Sequence, residues 1–185
     1  MGSSKSAQAL ITKFNYEQGG NKVLMLKPSI DNRDGDNIIK SRIGLESKVT
    51  VVEKDLDIYN FINNIINLKL DVIICDESQF FEPEQIDQLK SITRILNIPV
   101  ICYGLLTDFR TNLFPGSKRL IELADSLDEI KMVCDCGKRA SVNARIIDGK
   151  VTIDGDQVFV GGNESYKAMC FDCWVDAIAN RKTFN

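Results

Sequence analysis

Two adjacent acids, Asp76 and Glu77, follow a short apolar run in the stretch "VIICDESQFF". Neighbouring residues of a strand point in opposite directions, so one carboxylate can hold a metal while the other faces a substrate. In phosphate-loop enzymes an acid at this position supports the Mg²⁺ that bridges the β- and γ-phosphates. Alternatively, one of the acids caps the next helix, although Glu82 and Glu84 beside Pro83 already serve that helix. The pair alone leaves both interpretations open.

The opening stretch "MGSSKSAQAL" also has two interpretations. Small residues followed by Lys and Ser at a helix N-terminus form a phosphate loop, but Met-Gly-Ser-Ser is equally typical of a cloning tag. Ser4 stands where such loops usually have glycine, and the loop's first glycine and preceding strand are missing. However, the stretch continues without a break into an amphipathic pattern, and the separation of Lys5 from Asp76 is typical of neighbouring strands of one sheet. When this stretch is considered together with Asp76, the sequence favours a phosphate loop over a cloning tag.

Four cysteines near the C-terminus form two close pairs, which are Cys134 with Cys136 and Cys170 with Cys173. Four thiolates in this arrangement predict a tetrahedral, structural Zn²⁺ site with no open position for catalysis. Two disulfides or free thiols are the alternative. Cys75 and Cys102 lie in apolar runs and are interpreted as small buried hydrophobic residues.

The elements that must position these residues alternate between strands and helices. Apolar runs predict strands, and 3.6-residue periodicity predicts helices between them. The strands are expected at 23–26, 72–75 and 100–103, and the helices at 7–16, 56–68, 83–96 and 120–127. This order predicts an α/β fold whose largely parallel sheet is covered on both faces and collects ligands at the carboxyl ends of its strands. Gly and Asp turn signals between short β-like runs follow Ile130, which predicts domains at 1–130 and 131–185.

Composition excludes several classes of protein. A chain of 185 residues with 44% hydrophobic content is typical of a globular protein, and no apolar run is long enough for a membrane span. A net charge of -3 argues against a wide nucleic-acid interface. Without any His, proton transfer near neutral pH falls to carboxylates or thiols. We expect a cytoplasmic location, because nothing resembles a signal peptide.

Seven motifs taken together resemble the cellular, type II thymidine kinases, most closely the bacterial members. The resemblance covers Met1 to about Val175, and its specificity comes from the order and spacing of motifs that are weak singly. They are "MGSSKS", "KPSIDNR", "SRIG", "DESQFF", "YGLLTDFRTNLFPGS", "CDCGKRA" and "GGNESYKAMCFDC".

The resemblance implies a RecA-like P-loop sheet followed by a small zinc-bound, β-rich lasso domain. It also implies that the chain begins within the loop, so that a strand and a Gly-Pro pair would precede Met1. The implied reaction transfers the ATP γ-phosphoryl group to the 5'-hydroxyl of thymidine, giving dTMP for DNA synthesis by nucleotide salvage. Family members are commonly homotetramers inhibited by thymidine triphosphate, and we expect neither nucleic acid nor membrane as a partner.

The resemblance also assigns roles to individual residues. Glu77 is expected to accept the 5'-hydroxyl proton, and Arg33, with Arg42 as a second candidate, to neutralise phosphate charge. ATP and Mg²⁺ binding is expected at Gly2, Ser3, Ser4, Lys5, Ser6, Asp31, Arg33, Asp76 and Gln79. Thymidine binding is expected at Phe109, Gln157, Val158, Phe159, Val160, Gly161 and Tyr166. Zinc ligands are expected at Cys134, Cys136, Cys170 and Cys173.

Two other functions compete with this one. An apolar strand ending in Asp-Glu also occurs in RecA- or helicase-like ATPases that depend on nucleic acid, but the chain lacks a basic groove with interleaved aromatic residues. A non-catalytic, zinc-bound interaction module would leave the acids of "DESQFF" and the Lys of "GSSKS" unexplained.

Overall fold

A computed structural model describes residues 4–33, 35, 37–158 and 165–180, with the side chain of residue 180 left out. These residues form two compact units. The larger unit comprises Ser4–Leu106 and Phe114–Leu127, and the smaller comprises Thr107–Leu113 and the described residues from Asp128 onward.

A four-stranded parallel sheet forms the centre of the larger unit, in the order β4-β1-β5-β6. Its strands are β1 (Val23–Pro28), β4 (Thr50–Val52), β5 (Val72–Cys75) and β6 (Val100–Cys102), while β2 (Ile38–Lys40) and β3 (Glu46–Lys48) form a separate antiparallel pair. The three predicted strands are present at nearly the predicted bounds. Their continuous apolar runs reflect burial on both faces of a parallel sheet.

Helices cover both faces of this sheet, which confirms the predicted fold class. On one face Met25, Val72 and Ile74 pack against Ala9 and Leu10 of helix α1 (Lys5–Gln18). On the other face a second cluster joins the alternate strand residues to helices α2 (Ile58–Asn64) and α3 (Pro83–Ser91). Members of this second cluster include Leu26, Ile73, Cys75, Ile58, Ile62, Ile86 and Leu89. Cys75 is thus a buried core residue as predicted, and Cys102 is half-buried.

Helix boundaries depart from the predictions where local chemistry competes with periodicity. The helix predicted at 120–127 is α4 (Pro115–Leu123), which begins earlier because proline suits the first turn, where its missing N–H leaves no hydrogen bond unmade. It ends when Ala124 turns to extended backbone. The predicted helix 56–68 is divided into α2 and a 3₁₀ turn, Ile66–Leu68. The predicted helix 83–96 is α3 followed by a π-helical turn, Ile92–Leu96.

The smaller unit is β-rich, with a three-stranded antiparallel sheet in the order β10-β9-β11. Its elements are β7 (Met132–Val133), β8 (Arg139–Ala140), β9 (Val142–Ile147), β10 (Lys150–Thr152), β11 (Tyr166–Met169) and helix α5 (Phe171–Asn180). A core of small and sulfur-containing side chains includes Ala144, Met169 and Ala177. None of the helices in the described part of the chain is both long and apolar enough to cross a membrane.

Candidate active site and metal centre

The acids of "DESQFF" lie immediately beyond the carboxyl end of β5. Asp76 is 1% exposed and Glu77 is 4% exposed. Their divergence does not come from strand alternation as predicted, because β5 ends at Cys75 and Glu77 adopts a left-handed backbone conformation with φ 48°. Such a conformation is costly for a residue with a side chain and is typical of functional sites. The next helix has Glu82 as its N-cap, and Glu77 makes no side-chain capping hydrogen bond to the 3₁₀ turn that follows it, so the capping alternative lacks support.

Two donors hold the carboxylate of Glu77. Oε1 accepts a hydrogen bond from Nη2 of Arg33 at 2.9 Å, and Oε2 accepts one from Nε2 of Gln79 at 2.6 Å. Arg33 is itself held by Asp31, whose Oδ1 accepts from Nε of Arg33 at 2.5 Å. Gln79 is fixed because its Oε1 accepts from the backbone N–H of Leu105 at 2.9 Å. Three of the predicted residues around Glu77 therefore form one hydrogen-bonded chain that fixes its orientation.

Asp76 is joined to the start of helix α1. Its Oδ2 accepts a hydrogen bond from Oγ of Ser6 at 2.7 Å, whereas its buried Oδ1 has no hydrogen-bond partner among the described residues. Burial, reinforced by the charge of Glu77, raises the pKa of Asp76 to about 6, against the opposing effects of Ser6 and Lys5. A buried carboxylate oxygen without a partner is costly unless a cation or a bound water satisfies it. Ser6 and Asp76 therefore fit a site for Mg²⁺, which prefers oxygen ligands.

Lys5 is the first residue of α1 and is only 6% exposed. It begins a helix, as the phosphate-loop interpretation expects, whereas the separation from Asp76 had suggested a position on a neighbouring strand. Burial lowers the pKa of Lys5, although the charges of Glu77 and Asp76 act in the opposite direction. The first backbone N–H groups of a helix have no partner within it and bind phosphate readily. Of the other predicted loop residues, Ser4 is exposed and its Oγ accepts from Nε2 of Gln8 at 3.1 Å, while Gly2 and Ser3 lie outside the described residues.

Lys27 is a further residue of this region that the sequence prediction missed. It directly follows the apolar residues of β1, yet its side chain is buried and the residue is only 1% exposed. Its Nζ donates to the backbone carbonyls of Gly35 at 2.7 Å and Ile38 at 3.0 Å. These bonds hold the segment that follows Arg33. The sequence signal was a lysine placed directly after the apolar run "VLML".

The residues predicted to bind thymidine lie in the smaller unit, as far as they are described. Phe109 is 1% exposed, and Nε2 of Gln157 donates to Oδ2 of Asp108 at 3.1 Å. The hydroxyl of Tyr166 accepts from Nη2 of Arg145 at 2.9 Å, and Val158 is half-buried. The other three predicted residues of this stretch, Phe159, Val160 and Gly161, lie outside the described residues.

The four predicted zinc ligands converge in the smaller unit. Their sulfur atoms all lie within 4.8 Å of one another, and Sγ of Cys136 and Sγ of Cys170 are 3.6 Å apart. A zinc–sulfur distance of about 2.3 Å gives a tetrahedron with sulfur–sulfur edges of about 3.8 Å, whereas a disulfide requires about 2.05 Å. The cluster therefore fits a zinc site, and all four cysteines are free rather than disulfide-bonded.

The electrostatics of the four thiols also favour a bound cation. Backbone N–H groups of Cys136 and Cys170 lower the pKa of Cys134 to about 7. Hydrogen bonds with Cys170 and then Cys136 raise the pKa of Cys173 to about 12, because its neighbours compete for the same negative charge. Four thiolates cannot coexist at this distance without a compensating charge, which a divalent cation supplies.

Comparison with known proteins agrees with this geometry. A family model described as thymidine kinase matches residues 1–174. A thymidine kinase of Streptococcus pyogenes serotype M3 is 41% identical over 171 residues, which cover 92% of this chain and 90% of the relative. A thymidine kinase of Enterobacteria phage T4 is 42% identical over 176 residues, covering 94% and 91%. The chain belongs to the thymidine kinase family. A thymidine kinase of Rhodopirellula baltica is 39% identical over 183 residues, which cover 98% of this chain and 87% of the relative.

Family membership confirms the predicted activity, which is ATP-dependent phosphorylation of thymidine. The alternative of a nucleic-acid-dependent ATPase has no support from these comparisons. The zinc-bound lasso domain is likewise consistent with both the family and the cysteine cluster.

Proposed function

We propose that Glu77 is the general base for transfer of the ATP γ-phosphoryl group to the 5'-hydroxyl of thymidine. The observation that carries this assignment is the buried carboxylate held by Arg33 and Gln79, on the residue that follows Asp76, which is itself bonded to Ser6. A carboxylate offers about four lone-pair positions, so Glu77 can accept a substrate proton while both donors remain bound.

In this reaction the 5'-oxygen of thymidine bonds to the γ-phosphorus while the bond from that phosphorus to the β,γ-bridging oxygen breaks. ADP keeps the bridging oxygen with its electron pair, and the 5'-hydroxyl proton moves to Glu77. Little covalent chemistry is left to the protein, so positioning and charge neutralisation supply most of the rate enhancement.

The start of helix α1 would bind the phosphates. Lys5 would contact the β- and γ-phosphates, and the backbone of residues 2–6 would donate hydrogen bonds to them. Ser6 and Asp76 would hold Mg²⁺, which neutralises phosphate charge when it is bound. The buried Oδ1 of Asp76, which has no hydrogen-bond partner within the described part of the chain, supports this placement.

Arg33 would carry positive charge toward the transferring phosphoryl group while orienting Glu77, and Asp31 and Gln79 would keep these two side chains in place. Arg is suited to both tasks because its planar guanidinium donates in several fixed directions.

Thymidine would be recognised by the smaller unit, through Phe109, Tyr166 and the backbone of residues 157–161. Backbone donors and acceptors can match the polar edge of a pyrimidine without particular side chains. The four-cysteine cluster would hold Zn²⁺ in a structural role, because four protein ligands leave no position for a substrate.

Assembly into a homotetramer and inhibition by thymidine triphosphate stay predictions from the family resemblance. Sedimentation of the purified protein and inhibition of its turnover by thymidine triphosphate would test them separately.

The experiment that tests the proposed function measures ADP formation from ATP with thymidine, with single-stranded DNA and with neither. We expect turnover only with thymidine, and the appearance of dTMP in equal amount to ADP. Stimulation by DNA without stimulation by thymidine would overturn the proposal.

A further inference from the structure

Arg145 is a buried cation in the middle of the three-stranded sheet of the smaller unit. It lies on the central strand β9, opposite Thr152 on β10 and Tyr166 on β11, and is only 2% exposed. Other buried residues of β9 are Val142 and Ala144. Removing a guanidinium from water is costly, so its retention here requires strong and specific contacts.

The hydrogen bonds of Arg145 reach two separate segments. Nη2 and Nε donate to the hydroxyl of Tyr166 at 2.9 and 3.2 Å. Nη1 donates to the backbone carbonyl of Asp156 at 2.8 Å, and Nη2 lies 3.3 Å from the carbonyl of Gln157. The guanidinium fork therefore ties Tyr166 to the start of the stretch 157–161.

The flat face of the same guanidinium covers the ring of Phe109. Its central carbon lies 3.7 Å from the ring centroid, within the range of a cation–π contact. Gly155 permits the close approach of the chain, because a Cβ at that position would lie 3.2 Å from Nη1 and its φ is +103°. Phe109, Tyr166 and Gln157 thus meet at one side chain, although they are far apart in the sequence.

We propose that Arg145 is a positioning residue for thymidine recognition. The proposal rests on the proposed function, which assigns the nucleoside to Phe109, Tyr166 and the stretch that begins at Gln157. Arg145 fixes the ring, the hydroxyl and the backbone of these three groups in one arrangement before the nucleoside binds. Preorganisation of this kind lowers the entropic cost of binding.

Lysine at this position cannot reproduce the arrangement. Its ammonium is a single point charge without a planar fork or a flat face, so it can satisfy only part of the contact set. The expected order of thymidine affinity is therefore the parent protein, then Arg145→Lys, then Arg145→Met.

The test measures kcat and KM for thymidine at saturating ATP, and KM for ATP at saturating thymidine. For Arg145→Met we expect the thymidine KM to rise about 10- to 100-fold because several hydrogen bonds are lost. For Arg145→Lys we expect a rise of about 3- to 10-fold, since part of the contact set survives. In both variants the kcat and the KM for ATP should stay within about threefold of the parent, because the proposed base and phosphate contacts are untouched.

Arg139→Met is the matched control. Arg139 lies in the same unit on β8, has a side chain that is 65% exposed, and pairs with exposed Glu129. Its substitution should leave every kinetic constant unchanged. Zinc content and the fluorescence of Trp174, the single tryptophan of the chain, report whether each variant retains the folded smaller unit.

The outcomes separate the two proposals. A parent protein without thymidine-dependent turnover contradicts the proposed function itself. With an active parent, an unchanged thymidine KM in a folded Arg145→Met variant overturns the positioning role, as does a fall in kcat alone. If Arg145→Met does not fold, Arg145→Lys decides by the same criteria, and failure of both to fold would show a structural role in place of the proposed one.

Discussion

Arg33 donates a hydrogen bond at 2.9 Å to Glu77, a residue 44 positions away in the sequence. Arg33 lies in the loop after β1, and Glu77 follows the end of the neighbouring strand β5. The same guanidinium donates to Asp31 at 2.5 Å. One partly exposed cation therefore lies between two buried carboxylates. The loop after β1 therefore orients Glu77, the acid that follows β5, through the side chain of Arg33.

Arg33→Met is expected to reduce kcat about 10²-fold, since it removes both a charge from the phosphoryl-transfer region and the donor that orients Glu77. Arg33→Lys should recover part of this loss because it restores the charge but not the two-directional fork. Steady-state thymidine phosphorylation measures both variants. Arg94→Met, at an exposed position, is the control and should keep parental kcat. Equal rates for Arg33→Met and the parent would show that Arg33 has no part in the transfer.

Glu77→Gln is expected to lower kcat by about 10²- to 10⁴-fold, the usual contribution of a general base. The amide keeps the shape of the side chain, so the thermal unfolding midpoint should change far less than the rate. ADP formation in the presence of thymidine gives the rate, and calorimetry gives the midpoint. Glu84→Gln removes an exposed acid from the first turn of α3 and should keep the parental rate, with only a small fall of the midpoint because the acid favours the helix N-terminus. A rate within tenfold of the parent would exclude Glu77 as the base.

The sequence predicted the elements whose signal is local and continuous. The runs at Val23, Val72 and Val100 were strong because a parallel strand is buried on both faces. The start of α4 at Pro115 was missed because its first turn lacks an apolar stripe, and proline chemistry set the boundary instead.

The sequence predicted only those residues of the candidate site that belong to a recognisable motif. Asp76 and Glu77 follow the carboxyl end of β5, where ligands collect in such sheets, and the first turn of α1 brings Ser6 to Asp76. Lys27 and Arg145 were missed because their partners are backbone carbonyls and rings brought together by tertiary packing. Each does carry a weak signal, which is a long cation beside or within an apolar strand. The left-handed backbone of Glu77 had no sequence signal, since glycine would be the usual residue there.

Zinc removal is expected to unfold the smaller unit. Structural zinc sites contribute on the order of 10 kcal/mol to folding, whereas the apolar core of this unit consists mostly of small side chains. Treatment with a chelator, or the substitution Cys136→Ser, should therefore change the fluorescence of Trp174, which follows the ligand Cys173 on α5. Elemental analysis should find one zinc per parent chain.

Cys102→Ser is the control for the zinc experiment, because Cys102 lies in the larger unit on β6. This variant should keep the full zinc content and the parental Trp174 signal. A Cys136→Ser variant with full zinc content would contradict the four-ligand assignment.

The substitution Gly116→Ala has two opposing effects on stability, a gain in helix propensity and a steric cost. Alanine favours a helix over glycine by about 1 kcal/mol, and Gly116 lies in the first turn of α4. However, a Cβ at this position would lie 2.5 Å from the carbonyl oxygen of Phe81 and 2.9 Å from that of Gln79. These are backbone atoms, so the segment from Gln79 to Phe81 must itself move, which typically costs about 1 to 3 kcal/mol.

We therefore expect Gly116→Ala to lower the free energy of unfolding by about 2 kcal/mol in urea titrations, because a contact as short as 2.5 Å with a backbone oxygen places the steric cost at the upper end of this range, above the gain in propensity. Lys118→Ala, on an exposed face of the same helix, should stay within about 0.5 kcal/mol of the parent. Because the displaced segment carries Gln79, which donates to Glu77, kcat should fall together with stability in Gly116→Ala. A loss of stability with parental kcat would mean that the segment yields at Phe81 without moving Gln79, and unchanged stability would refute the steric argument.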